Sequence, residues 1–147
     1  MKISECMTRD VRVANPNETI RDAAKMMCEC DAGVVPVGEN DRLVGMLTDR
    51  DIAIRAVAEG KGPDTRVREV MSAEVKYCYD DEDTDDVARN MAELQVRRLP
   101  VLNRDKRLVG IVALGDLACS DETAETATHA LSGISRAGGQ HSQSATR

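Results

Sequence analysis

Apolar and polar positions follow one order along the chain, and the order comes round twice. Val11 and Val13 alternate with polar neighbours, the period of a short half-exposed strand. Pro16-Asn17-Glu18-Thr19 then opens a helix. In it Ile20, Ala23, Ala24 and Met27 recur at i, i+3, i+4 and i+7, which is one helical face. An apolar strand follows at Val34-Val35-Pro36-Val37, where the proline limits the hydrogen-bonded ladder. After a charged turn come Leu43-Val44-Gly45-Met46-Leu47 and a second helix from Asp49. The second round has a helix with Val87, Ala88, Met91 and Leu94, strands at Leu99-Pro100-Val101 and Leu108 to Ala113, and a helix from Gly115.

This is a repeat of residues as well as of pattern. A shift of 64 positions lays Met7 on Met71, Val11 on Val75, Ala24 on Ala88, Met27 on Met91 and Pro36 on Pro100. One inserted residue in the polar turn (Gly38 to Asp41 against Leu102 to Lys106) raises the shift to 65. Arg42-Leu43-Val44-Gly45 then meets Arg107-Leu108-Val109-Gly110, and Asp51 meets Asp116. Each unit reads strand, helix, strand, hairpin, strand, helix. Units of about 60 residues bury too little surface alone, so the two are expected to pack together. The predicted division is a first repeat over 1–58, a linker over 59–66, a second repeat over 67–120 and a tail over 121–147. The tail is poor in large apolar residues; a helix is expected around Glu122 to Leu131 and disorder in the last ten residues.

Composition narrows the function. The chain has 147 residues, 41 % hydrophobic and 31 % charged, so it reads as globular. Tyr77 and Tyr79 are its only aromatic residues of the Phe, Trp and Tyr class, which leaves an aliphatic core with seven Met. A base-stacking platform for single-stranded nucleic acid is thereby excluded. The net charge of −6 argues against long polyanions, which need clustered basic charge, but leaves room for a small phosphate ligand. The uncharged stretch from Leu108 to Gly115 is far too short to span a membrane, and Glu5, Arg9 and Asp10 interrupt any signal-like apolar run. Five cysteines (Cys6, Cys28, Cys30, Cys78 and Cys119) form no regular framework, which suggests reduced thiols and the cytoplasm.

Most candidate chemistry has a plain structural reading. Cys28-x-Cys30 is a metal-like pair, yet no second pair completes a zinc set. Asp80-Asp81-Glu82-Asp83 with Asp85-Asp86 lacks the order of a calcium loop and suits an acidic first helical turn. His129 and His141 stand away from any nucleophile, and no phosphate-binding glycine loop occurs. The strongest local motif is Gly45-Met46-Leu47-Thr48-Asp49-Arg50-Asp51, a strand running into a helix whose first turn carries a carboxylate. A helix start offers unpaired N–H groups to an anion; Thr48 adds a hydroxyl donor, and Asp51 suits the vicinal hydroxyls of a ribose. The same residues equally suit a helix cap, with Thr48 as N-cap and Asp51 favouring the dipole.

Taken twice and in order, these motifs resemble the cystathionine β-synthase (CBS) domain family, as a tandem CBS pair or Bateman module. The resemblance rests on Met7-Thr8, Ala24-x-x-Met27, Val35-Pro36-Val37 and Leu43 to Asp51, and again on Met71-Ser72, Ala88-x-x-Met91, Arg98-Leu99-Pro100-Val101 and Leu108 to Asp116. It covers residues 3–119. It implies an α/β (α+β) fold of two β-α-β-β-α units packed as a pseudo-twofold sandwich. It also implies a non-enzymatic regulatory sensor that binds an adenine nucleotide or dinucleotide (AMP, ADP, ATP, an NAD-type molecule or S-adenosylmethionine) in clefts between the repeats. No cofactor is required; the nucleotide is the ligand.

Carried over by position, the first site would use Thr48 and Asp51, Arg50 as phosphate partner, and Thr8, Val11, Val35 and Pro36 around the base. The second would use Asp116 with Ser72, Val75 and Leu99. Ala113 stands where Thr48 stands in the first, so a donor is missing; the second site is expected to be weaker unless Arg97 or Arg98 compensates. The resemblance further implies a homodimer and a separate regulated protein partner. Two other readings stay open: a thiol-based metal or redox protein using Cys28 and Cys30, and a purely structural dimerisation module.

Overall fold

The structure, a computed structural model, describes residues 1–118 and 124–134. The expected helices and hairpins are present. Helix α1 (Ile20–Cys30) starts at Thr19, whose hydroxyl oxygen accepts from Asp22 N–H at 3.2 Å, and ends at Asp31 in the left-handed region. Strands β1 (Val34–Glu39) and β2 (Arg42–Thr48) form an antiparallel hairpin, turned by Asn40 and Asp41 at φ 55° and 62°. Helix α2 (Asp49–Asp51) runs straight into a π-helical stretch, Ile52–Val57.

The second round repeats this. Strand β3 (Cys78–Tyr79) lies parallel to β4 (Arg98–Leu102), and β4 pairs antiparallel with β5 (Leu108–Ala113). Helix α3 (Thr84–Leu94) is capped by Asp83 and ends at Gln95, left-handed like its counterpart Asp31. Helix α4 (Leu114–Ala118) follows β5 directly, and α5 (Ala124–Ile134) packs on α3.

Among the described residues, 12–75 form one compact unit, and 1–11 with 76–118 and 124–134 form the other. The units are therefore not the sequential halves: the repeats exchange their leading segments. Residues 1–8 dock on the second repeat. There Ile3 N–H donates to Glu82 O at 3.0 Å, Thr84 N–H to Met1 O at 2.9 Å and Thr8 N–H to Ile111 O at 2.8 Å. Residues 65–72 dock on the first repeat through the same set. Val67 N–H donates to Glu18 O at 2.8 Å, Ile20 N–H to Thr65 O at 2.8 Å and Ser72 N–H to Met46 O at 2.9 Å.

The linker explains the return. Gly60, at φ +77°, and the Thr65 hydroxyl bonded to Gly62 O at 2.6 Å make it a turn that brings the chain back to α1. Arg21 and Asp64 pair across that turn at 3.3 Å. The glycines of the repeated Leu-Val-Gly motif have a matching reason. A Cβ on Gly45 would meet Met71 Sδ at 2.6 Å, and one on Gly110 would meet Thr8 O at 2.6 Å.

Each unit has its own aliphatic core. One gathers Ile20, Ala23, Met27, Val35, Val37, Leu47 and Val67; the other gathers Ile3, Val87, Met91, Leu99, Val101, Val112 and Leu117. Three expectations need correction. The buried face of α1 uses Met26 where Ala24 was expected, and Ala24 is exposed. The strand over Val11 and Val13 does not form. Ala14, held between Pro36 O and Gly38 N–H at 2.9 Å each, is the inward residue, which turns Val13 outward. The tail is in part core: Ala127, Ala130 and Ile134 are buried, and Gly133 lies so close to α3 that a Cβ would come within 2.9 Å of Ala92 Cβ. Small residues buried in this way carry little hydropathy, so the pattern hid them. Cys119, His141 and the expected disorder of the last ten residues lie outside the described residues.

Candidate functional site

The turn from β2 into α2 is a closed capping box. Thr48 N–H donates to Asp51 Oδ2 and Asp51 N–H donates back to Thr48 Oγ1, both at 3.0 Å. The cap geometry weighed for the sequence is thus the observed one. It leaves two functional groups: Thr48 keeps its hydroxyl proton to donate, and Asp51 keeps its second oxygen, Oδ1. The Asp51 side chain is only 16 % exposed, so a ligand hydroxyl bonded there meets little competition from water.

Val35 and Pro36 are buried on β1, paired with Leu47 and Met46 of the strand that ends at Thr48. Ser72, also buried, is joined to Met46 by two backbone bonds of 2.9 Å. The structure therefore brings Ser72 into the same unit as Thr48 and Asp51, with half-buried Val75 in the following loop. Thr8 and Val11, grouped with Thr48 by sequence position, lie in the other unit, where Thr8 is bonded to Ile111. Arg50 is exposed and makes no ion pair among the described residues.

The second turn is half a box. Ala113 N–H donates to Asp116 Oδ2 at 2.8 Å, and Ala113 has no hydroxyl with which to answer. Leu99 is buried on β4, Arg98 is half-buried at its start, and Arg97 is exposed. Cys6 lies on this side; burial, and after it the negative charges of Asp116 and Glu5, raise its thiol above the ordinary range.

Sequence reasoning overlooked Arg55. It stands four residues after Asp51, a spacing that marks an ion pair on a helix, and its Nε lies 3.8 Å from Asp51 Oδ1. Beside the turn, a groove of about 420 Å³ lies open between α1 and α2, with Met27 and Ile52 as apolar walls and Asp31 and Asp49 at its rim.

The other candidates separate cleanly. Cys28 and Cys30 are both exposed on the last turn of α1, and residues two apart diverge by about 200° around a helix. Burial pushes the Cys78 thiol up to about 12, with Glu82 adding to the shift, so it stays neutral and inert. Asp85 and Asp86 occupy the first turn of α3, and Asp81 is held by two bonds of 2.8 Å from Arg104. Among the described residues no three His, Cys, Asp or Glu are grouped to hold a metal, and no helix is long and apolar enough to cross a membrane.

The family comparison bears on this doubled turn. The sequence profile of the CBS domain matches residues 3–57 and again 67–136. The chain belongs to the CBS domain family. Its fold is the α+β tandem CBS fold, and the CBS domain-containing protein YhcV of Bacillus subtilis is 44 % identical over 133 residues, 90 % of this chain and 94 % of that protein. A crystal structure of hypoxic response protein I with two coordinated zinc ions is 39 % identical, covers 80 % of this chain and 97 % of its own, and gives a TM-score of 0.73. The corresponding protein of Mycobacterium tuberculosis is 40 % identical over 116 residues, 78 % of this chain and 80 % of its own. The CBS domain pair of protein MJ0100, solved with 5'-methylthioadenosine and S-adenosyl-L-methionine, is 28 % identical, covers 80 % of this chain and 93 % of its own, and gives a TM-score of 0.71. In both CBS repeats of the present chain the Gly-containing strand leads into a carboxylate one turn inside a helix; only the first keeps the hydroxyl.

Proposed function

We propose that this chain is a non-enzymatic regulatory module that binds an adenosine-containing ligand, with its better site at the Thr48–Asp51 turn of the first CBS repeat. The reciprocal Thr48–Asp51 box carries the reading, because it holds a shielded carboxylate oxygen and a free hydroxyl proton at one helix start. Asp51 Oδ1 accepts from the ribose hydroxyls, and Thr48 donates to a phosphate or equivalent acceptor. Exposed Arg50 supplies charge when the ligand carries phosphate. Val35 and Pro36, whose side chains are buried, meet the base through the backbone of β1. The second site, at Asp116 with Leu99 and Arg98, lacks one donor and binds more weakly.

The adenosyl ligands of the MJ0100 pair support this ligand class. Ligand binding acts by stabilising one arrangement over another, which a separate protein in the cytoplasm then reads. Homodimerisation belongs to the same reading: Ile54 and Val57, 46 % and 68 % exposed, form an apolar strip on the π-helical stretch. The test is mass spectrometry of small molecules released from freshly purified protein, followed by titration with the compound found. An adenosine compound in the eluate is the expected result. An eluate without nucleosides, together with flat titrations of AMP and S-adenosyl-L-methionine, would overturn the reading.

A further inference from the structure

Arg55 joins two elements of the first repeat. On one side its Nε faces Asp51 Oδ1 at 3.8 Å. On the other its Nη1 donates towards Val70 O at 3.3 Å, and towards Met71 O and Ser72 Oγ at 3.4 Å. Those three acceptors belong to the returning segment, whose Ser72 is already bonded to Met46 on β2. A planar guanidinium with donors on both edges can span such a gap; an ammonium offers donors from a single point. The Arg55 side chain is 37 % exposed and that of Asp51 beside it 16 %. By sequence, the equivalent position of the second repeat holds Ser120.

We propose that Arg55 is a positioning residue of the first site, holding Asp51 Oδ1 and the 70–72 segment in the arrangement that recognises a ribose diol. The proposal rests on Asp51 being the ribose-binding carboxylate. Rotation about the Asp51 Cβ–Cγ bond turns both carboxylate oxygens together, and the two are held from opposite sides, Oδ2 by Thr48 N–H and Oδ1 by the Arg55 charge, so the pair of contacts fixes the carboxylate plane. The Asp51 carboxylate is then preorganised for two vicinal hydroxyls, and the site distinguishes ribose from 2'-deoxyribose.

The experiment compares AMP with 2'-deoxy-AMP by calorimetric titration on the wild type, Arg55→Met, Arg55→Lys and Asp51→Asn, with thermal unfolding of each. Wild type is expected to prefer AMP by about tenfold, the effect of one hydrogen bond to a charged group. Arg55→Met should bring the ratio near unity, and Arg55→Lys, which keeps the charge, should restore part of it. Equal losses for both ligands in Arg55→Met, or a lowered melting temperature with the ratio intact, would overturn the proposal and leave Arg55 a purely structural clamp. If Arg55→Met does not fold, an unchanged ratio in Arg55→Lys, with its single-point donor, overturns it equally. A wild type without ribose preference, or Asp51→Asn binding like wild type, would instead remove the underlying role of Asp51, and the proposal with it.

Discussion

In the first repeat the turn between β2 and α2 closes with two reciprocal bonds; in the second, the turn between β5 and α4 makes one. The first has Arg55 reaching from the helix to the returning segment, while the second has Ser120 at that position in the sequence. Around these differences the backbone bonding is nearly superimposable, down to the exchanged leading segments. The contrast teaches that duplication preserves what the backbone needs and lets side-chain chemistry drift. Pairing, caps and close approaches are fixed by hydrogen bonding and packing in both copies.

The glycine contacts break the symmetry most strongly. Both glycines face a backbone carbonyl and a methionine sulfur, in opposite order: in Gly110→Ala the new Cβ meets Thr8 O at 2.6 Å and Met7 Sδ at 2.9 Å, whereas in Gly45→Ala it meets Met71 Sδ at 2.6 Å and Ser72 O at 2.9 Å. Urea unfolding should show a loss of about 3 kcal/mol for Gly110→Ala and about 2 kcal/mol for Gly45→Ala, because the carbonyl stands closer to the new Cβ in the first and the yielding sulfur closer in the second. Equal losses would mean that the Met71 tip is as rigid as a carbonyl.

Core volume sharpens the comparison next. Val35 faces Leu47 across β1 and β2, while Leu99 faces Val112 across β4 and β5, so the small and large partners have changed places. The swap Val35→Leu with Leu47→Val in the first repeat should cost less than about 1.5 kcal/mol, and Val35→Leu alone should cost more than the pair. A double-mutant cycle measures this; an additive result would show that the two positions do not share space.

The caps give the smallest stability effects. Thr48→Ala should destabilise by about 1 kcal/mol, and Ala113→Thr should stabilise by about as much if it completes the second box. Thermal unfolding of the two variants decides this, and an Ala113→Thr variant without any gain would show that the second turn cannot accept the hydroxyl.

Much of this was legible in the sequence because it recurs. The helices, the two hairpins and the Thr48–Asp51 turn follow from periodicity and from residues matched at a shift of 64 or 65. What stayed hidden depends on tertiary partners. Sequence order assigns Met7-Thr8 to the first repeat, since nothing local says that its hydrogen bonds go to Ile111. The helix α5 buries Ala127 and Ala130 beside Gly133, small residues whose fit against α3 shows only in three dimensions. Arg55 carried a readable signal, its i,i+4 spacing from Asp51, but its bonds to residues 70–72 needed the fold.

Titration of one adenosine ligand, S-adenosyl-L-methionine or AMP as the release experiment indicates, into Asp51→Asn and Asp116→Asn proteins tests the central claim most directly. Asp51→Asn should lose the tighter binding step and most of the ligand-induced thermal stabilisation, which for wild type at a hundred times Kd amounts to about 2.7 kcal/mol. Asp116→Asn should keep that step. Equal losses in both variants, or none in Asp51→Asn, would contradict the claim that the first repeat carries the better site.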